Sequence, residues 1–387
     1  MIEKTPENII VGIKANTYPE KRNFSGLNIE GVSFKKVKDF YKYPAFLYFK
    51  IYRTTQPRWL NLFNDFNLGK YDILHFFNAV SYGSKPWICT FEYFIPRGAQ
   101  KKELSNSDKT YIQKNWKHMV SDNCKRLIAL SKWAYNSQEQ YINSLGYDFN
   151  LIKDKLIVLY PPQKIYVNSM AEKHTGEKIK FIFVGGVFFH KGGMEILNVF
   201  DKMLSYGAPI ELDIISSFTT GDFVTRSNEE SVQKANRIIE KHSAIRSHNK
   251  LENQEVMKMM KTSDVALLPS YDETFGYSVL EAQACGCPVI STNGAALSEI
   301  NNEECGWLIN LKIDNHQRTV PRTDEDKTEA TNIIVANLER IIKEILDSPH
   351  IIKVKGENSL ERIKKSHDVN SFKEKLKEIY ISAISKP

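Results

Sequence analysis

Short apolar runs alternate with amphipathic stretches along most of this chain. Asp264-Val265-Ala266-Leu267-Leu268 is one such run, and it predicts a buried parallel strand. Pro269 to Asp272 predicts a loop. Ser278 to Ala284 predicts a helix, closed by Gly286 with Pro288 beyond it, and Val289-Ile290-Ser291 opens the next strand. Upstream the rhythm repeats: strand from Lys180 to Gly186, helix from Met194 to about Leu204, strand from Glu211 to Ile215, and another around Ile245. Tyr71 to Asn78 is also strand-like. Strands alternating with helices in this way predict an α/β architecture with parallel sheets.

Two domains fit the 387 residues. Lys155 to Tyr160 reads as the last strand of the first. Pro161-Pro162-Gln163 is stiff and continues neither sheet nor helix. Tyr166 to Lys178 is a polar connector, and a new core opens at Ile179. The expected division is 1–163 and 164–370. Helices are expected from Asn332 to Leu346 and from Asn358 to Lys365. A last helix, Ser371 to Ile384, carries Phe372, Leu376, Ile379 and Tyr380 at helical spacing. No internal repeat or low-complexity segment interrupts the chain.

Charge changes this picture. Residues 1–160 hold 24 Lys and Arg against 14 Asp and Glu, close to +10, whereas the whole chain is +7. A basic half implies an anionic partner. Without a zinc finger, RNA-binding strand motif or basic zipper, nucleic acid is not expected. Within this half, Tyr41, Tyr43, Phe46, Tyr48, Phe49, Tyr52, Trp59 and Phe63 interleave with Lys42, Lys50, Arg53 and Arg58, after Lys35, Lys36 and Lys38. Two readings stand: an interfacial segment on anionic lipid, or a helix whose aromatics are core and whose lysines are solvated. No run is long enough to span a bilayer, and Met1 to Pro6 lacks the apolar core of a signal peptide. Cys89, Cys124, Cys285, Cys287 and Cys305 have no zinc spacing, so free thiols in a reducing cytoplasm are expected.

The candidate chemistry lies in Glu273-Thr274-Phe275-Gly276-Tyr277-Ser278-Val279-Leu280-Glu281. Two carboxylates flank a glycine turn and the first turns of a helix. A helix N-terminus at the carboxyl end of a parallel strand suits a phosphate. A carboxylate accepts two hydroxyl hydrogen bonds at once, so a phosphate site between two of them suggests a sugar nucleotide. Lys180 to Gly186, followed by Val187-Phe188-Phe189-His190-Lys191-Gly192-Gly193, runs a strand through a glycine turn into a helix. There backbone can approach a ligand, and Lys191 supplies a point charge.

The stretch E-T-F-G-Y-S-V-L-E-A-x-A-C-G-x-P-V-I resembles the E-x7-E signature of retaining glycosyltransferases of family 4. The resemblance implies the GT-B fold: two Rossmann-like domains facing a central cleft, with the last helix, 371–387, crossing back to the first. It implies that Glu273 meets the donor sugar, that Phe275 and Gly276 lie under sugar and phosphate, and that Glu281 binds the ribose. Lys180 to Gly193 is similar to the family's F-V-G-R-x-x-x-x-K-G block. Gly186 stands where the family often has Arg, so Lys191, Arg246 or another basic residue would supply the missing cation. In the first half, Tyr71 to Asn78 resembles D-V-V-H-x-H, Lys85 to Glu92 resembles K-P-x-V-x-T-x-H, and Cys124 to Ser131 resembles A-x-x-V-x-x-S. These blocks place His75, Asn78 and Glu92 on the acceptor side. Glu92 replaces a common His and cannot donate a hydrogen bond while ionised. His75 also reads as a strand histidine with a satisfied ring.

The implied reaction moves a sugar, with retention, from a nucleotide-diphosphate donor to a hydroxyl of a glycan or lipid-linked acceptor. Glu273, Lys191 and Glu92 are the catalytic candidates. Gly185, Gly186, Ser216, Tyr277 and Ser278 join Lys191, Glu273, Phe275, Gly276 and Glu281 around the donor, with the base near 247–253. The nucleotide sugar is a co-substrate, and no other cofactor is expected. Asp213 and Asp222 are isolated, so no metal is expected. The alternatives are a catalytically altered sugar-nucleotide-binding partner and a GT-B phosphorylase or epimerase. The expected compartment is cytoplasmic, with an anionic membrane as a candidate docking surface.

Overall fold

Pro161 and Pro162 end the first of two units, Met1–Pro162 with Val369–Pro387; the second is Gln163–Asp368. The computed structural model describes residues 8–52, 58–98, 104–173, 176–221, 224–249, 251–319 and 321–385, without the side chains of Phe49 and Tyr52. The N-terminal residues 1–7, Arg53 and Asp222 lie outside them.

The first unit is built on a parallel sheet in the spatial order Val32–Lys36, Ile9–Ile13, Ile73–Phe77, Trp87–Phe91, Cys124–Ala129, Leu156–Val158. A two-stranded sheet, Leu62–Phe63 with Val80–Ser81, stands beside it. The central strands are buried almost throughout, so they are mostly apolar, and the polar His75 and Thr90 within them pair with each other. Val369–Ile384 is one helix, and its Phe372, Leu376, Tyr380 and Ala383 join Ile9, Val11, Ile73, Ile88 and Ile128 in one core.

The second unit has the order Ile245–His248, Ile210–Ser217, Ile179–Val187, Val265–Leu268, Val289–Thr292, Gly306–Ile309, all parallel. In chain order this is 3-2-1-4-5-6, the doubly wound arrangement whose direction reverses between the first and fourth strands. Both units are Rossmann-like. Two helices are longer than the apolar spacing predicts. Asp324–Asp347 starts eight residues before Asn332 because Thr323 caps it: the Asp326 N–H donates to Thr323 Oγ1 at 3.0 Å, and the Asp326 carboxylate accepts from the Thr323 N–H at 3.2 Å. Its first turn is acidic and exposed, so it carries a dipole signal and no apolar one. His350–Ser366 runs through Gly356, where a Cβ would stand 2.5 Å from Met170 Sδ.

The first part of the aromatic-basic segment folds as the helix Lys42–Tyr52, whose outer aromatics are not core, whereas Phe63, on the strand Leu62–Phe63, is fully buried. Tyr43, Phe46, Leu47 and Ile51 are 58–67% exposed, and Ala45 is fully buried. The buried-aromatic reading is therefore corrected for Tyr43 and Phe46 and holds for Phe63. All five cysteines are free and buried. Among the described residues no helix is long and apolar enough to cross a membrane.

His75 sits inside the first core. One ring nitrogen meets the Tyr380 hydroxyl at 2.7 Å, the other meets Thr90 Oγ1 at 2.8 Å, and the ring stacks on Phe24 at 3.8 Å. It is 1% exposed, and burial lowers its pKa to about 3. The unfolded chain takes up a proton here near 6.5. Stability from this group is therefore full above 6.5 and falls as pH drops toward 3. Lowering the pH to about 5 should cost about 2 kcal/mol through His75 alone. Urea unfolding at neutral pH and at about pH 5 should show that loss in the native chain, and a smaller one in His75→Gln.

Candidate functional site

In the second unit, the carboxyl ends of Ile179–Val187 and Val265–Leu268 lie at the reversal of strand order. Open α/β sheets bind ligands outside such a switch point. Two loops meet there, 188–192 and 269–276. Their approach is close enough to require glycine: at Gly192, φ 80°, a Cβ would stand 2.3 Å from Pro269 O. Gly192 is also the N-cap of the helix Gly193–Ser205.

This approach brings Lys191 Nζ 2.8 Å from Glu273 Oε2 and 3.1 Å from the Asp272 carbonyl oxygen. Both side chains are under one-fifth exposed. The two residues assigned separately in sequence thus form an ion pair. The loop bearing Glu273 is held along its length. Thr292 Oγ1 donates to Ser270 O at 2.7 Å, and Thr319 Oγ1 donates to Tyr271 O at 2.6 Å. Asp272 O also accepts from Ser270 Oγ and from His190 Nε2. Below it, the Tyr271 hydroxyl donates to Glu195 Oε1 at 2.8 Å, and burial pushes the Glu195 carboxyl up.

Phe275 is buried, and Gly276, φ 91°, is the N-cap of the helix Tyr277–Ala284. A Cβ at 276 would lie 2.7 Å from Leu297 Cδ2. Tyr277 and Ser278 are half-buried on the first turn, while Glu281 is 9% exposed on the second. Across the switch point, Gly185 packs against the Lys191 side chain. Gly186 is exposed, with nothing within 4 Å of where a Cβ would stand. Ser217 Oγ donates to Gly186 O at 2.6 Å. The Ser216 hydroxyl is buried and has no hydrogen-bond partner among the described residues.

Arg246 does not stand in for the missing cation. Its guanidinium donates to Asp213 at 2.8 and 3.0 Å and to Glu211 at 3.0 Å, so its charge is already matched. Arg318 is a residue that pattern reading missed. Its Nε is 3.1 Å from Asp272 Oδ1, and its terminal nitrogen pairs with Oδ2. It lies in the polar stretch after Ile309, which has no periodicity to flag it.

In the first unit, Asn78 follows the strand Ile73–Phe77 with φ 55° and shares hydrogen bonds of 3.4 Å with Glu92, one to its side chain and one from its backbone N–H. Glu92 Oε1 is 2.6 Å from Arg97 Nη2, a second cation that spacing did not reveal. His75, expected on the acceptor side, is corrected: it is buried behind Thr90 with both ring nitrogens occupied.

Comparisons with known proteins bear on this arrangement. Residues 168–330 match the family model "Glycosyl transferases group 1". An "uncharacterized 41.2 kDa protein in cps region" of Klebsiella pneumoniae is 25% identical over 264 residues, 63% of this chain and 66% of that protein. Glycogen synthase of Mycobacterium tuberculosis is 22% identical over 205 residues, 53% of this chain and 42% of that one. The matches thus span under two-thirds of these relatives' own lengths. Among solved structures, HepE of Anabaena in complex with UDP and glucose aligns with a TM-score of 0.57 at 11% identity, covering 96% of this chain and 99% of that one. A glycosyltransferase of Rickettsia africae aligns with a TM-score of 0.56 at 15% identity, covering 92% and 86%. Together these findings show that residues 168–330 are similar to the glycosyl transferases of group 1 and that the two Rossmann-like units share the fold of GT-B glycosyltransferases.

Proposed function

We propose that the chain is a retaining, metal-independent glycosyltransferase of the hexosyltransferase kind. It would move a sugar from a nucleotide-diphosphate donor to a hydroxyl acceptor in polysaccharide or lipid-linked glycan assembly. The observation that carries this reading is the Lys191–Glu273 pair at the switch point, beside the N-terminus of Tyr277–Ala284. A leaving diphosphate gathers charge as the glycosidic bond breaks. Fixed positive ends, the helix N-terminus and the Lys191 ammonium, stabilise that charge without reorganising. Glu273, held by Lys191, accepts hydrogen bonds from donor-sugar hydroxyls. Glu281 takes the ribose. The UDP and glucose bound to HepE favour a nucleotide-sugar donor, and the cps-region relative favours a polysaccharide product.

The first unit supplies the acceptor side, with Asn78 and Glu92 at the carboxyl end of its sheet. Its exposed apolar helix, Lys42–Tyr52, with Lys35, Lys36 and Lys38 just before it, supports docking on an anionic membrane at the cytoplasmic face.

Calorimetry with UDP, GDP, ADP and TDP in chelator should find one that binds. Glu281→Ala should weaken it by about 1.5–3 kcal/mol, and Glu273→Ala should leave it within a few-fold while lowering turnover. Equal nucleotide affinity in native and Glu281→Ala chains would sink the ribose assignment.

Co-sedimentation with vesicles tests the docking. Anionic vesicles should retain the chain at low salt, neutral ones far less, and high salt should release part of it. Reversing the charge of Lys35, Lys36 and Lys38 should weaken retention without lowering the unfolding midpoint. Equal recovery in the supernatant with both vesicle types would reject it.

A further inference from the structure

A cavity of about 780 Å³ opens in the first unit, walled by the rings of Tyr41, Tyr48, Trp59, Tyr82 and Tyr111. Tyr41, Tyr48 and Trp59 follow the carboxyl end of Val32–Lys36. Tyr82 follows that of Ile73–Phe77. Tyr111 is on the helix Asn106–Val120, which follows Trp87–Phe91. Leu62, on the small sheet with Val80–Ser81, also lines it.

The chemistry of the walls narrows the occupant. Tyr41 meets Tyr82 at 6.0 Å and 83°, and Tyr48 meets Trp59 at 5.5 Å and 85°, so perpendicular rings offer both faces and edges. Arg58 also lines the cavity, but its charge is matched: it pairs with the fully buried Asp108 at 2.5 Å and lies over the Tyr111 ring at 5.5 Å. A phosphate would have to compete with that carboxylate. The polar residues Ser107, Thr110 and Lys114 also line the space. A hydrocarbon chain would strip water from these groups and return no hydrogen bonds. A neutral sugar ring satisfies both halves, with C–H faces against the aromatics and hydroxyls against the polar rim.

The cavity is coupled to the acceptor-side pair without containing it. The Tyr111 hydroxyl donates to Arg97 O at 3.0 Å, and the Arg97 guanidinium holds Glu92. Neither Arg97 nor Glu92 lines the space.

We propose that this cavity is a subsite for a neutral sugar of the acceptor, set apart from the hydroxyl that receives the transferred unit. The acceptor is then an oligosaccharide rather than a single sugar. This deepens the transferase reading and rests on it for the word acceptor; the cavity's affinity for sugar does not.

Trp59 is the built-in reporter. The full chain is titrated with maltotriose, cellotriose, chitotriose, 1-octanol and inorganic phosphate while tryptophan fluorescence is followed, with Trp59→Phe removing the reporter ring. At least one trisaccharide should give a saturable change that is lost in Trp59→Phe and moved at least tenfold to higher concentration in Tyr82→Ala. Tyr82→Phe, which keeps the ring, should bind nearly as the native chain does, and a thermal melt of each variant checks that it is folded. A response to octanol alone, to phosphate alone, or to no probe overturns the proposal. Nucleotide affinity, measured on the same samples, separates the two readings. Sugar binding without nucleotide binding overturns the transferase and leaves a glycan-binding cavity; nucleotide binding without sugar binding overturns only the cavity.

Discussion

The switch point of the second unit depends on one close approach, the backbone of Gly192 against the carbonyl of Pro269. No side chain fits between them. Because they touch, Lys191 and Glu273, 82 residues apart, stand at hydrogen-bond distance. The rest of the loop is then fastened by groups from elsewhere in the unit: Thr292 on Ser270, Thr319 on Tyr271, and His190 and Lys191 on Asp272. Each buried carbonyl left without such a donor would cost about 1–3 kcal/mol. A loop satisfied so fully is poised in one geometry, which is what a site needs in order to stabilise developing charge without moving.

Charges at both candidate sites come in opposed pairs. Lys191 faces Glu273, Arg318 faces Asp272, and Glu92 faces Arg97. Matched pairs keep half-buried charges tolerable before any ligand arrives. They also change the meaning of the Gly186 position. The space where a side chain would stand is empty, and the nearby cations are already engaged, Lys191 with Glu273 and Arg246 with Asp213 and Glu211. On the proposed reading, a diphosphate would share Lys191 with Glu273, and the helix beginning after Gly276 would carry more of the charge stabilisation. Buried polar groups away from the loops act differently. His75 is held neutral between Tyr380 and Thr90, and it serves the fold.

The first unit uses its aromatic residues in two ways. On Lys42–Tyr52 the rings of Tyr43 and Phe46 point to solvent, beside lysines. Tyr48, on the same helix, turns toward Trp59 and the cavity. One helix thus presents an apolar outer face and an aromatic inner edge.

Local pattern alone determined the alternation of strands and helices, the parallel sheets, the break at Pro161-Pro162 and the last helix with its Phe372, Leu376 and Tyr380 stripe. Buried strands must be apolar on both faces, and an amphipathic helix must repeat its apolar positions, so both leave a periodic trace. The glycine turns and the two carboxylates of 273–281 were legible for a similar reason, since tight turns and helix starts restrict residue type locally. Tertiary structure alone decided the partners. Nothing periodic marks Arg318 as the residue that holds Asp272, or Arg97 as the one that holds Glu92, because ion pairs across loops obey distance in space and not spacing in sequence. The aromatics of Lys42–Tyr52 were ambiguous for the same reason: composition gives a helix its apolar residues, but only the neighbouring layers decide which of them find cover.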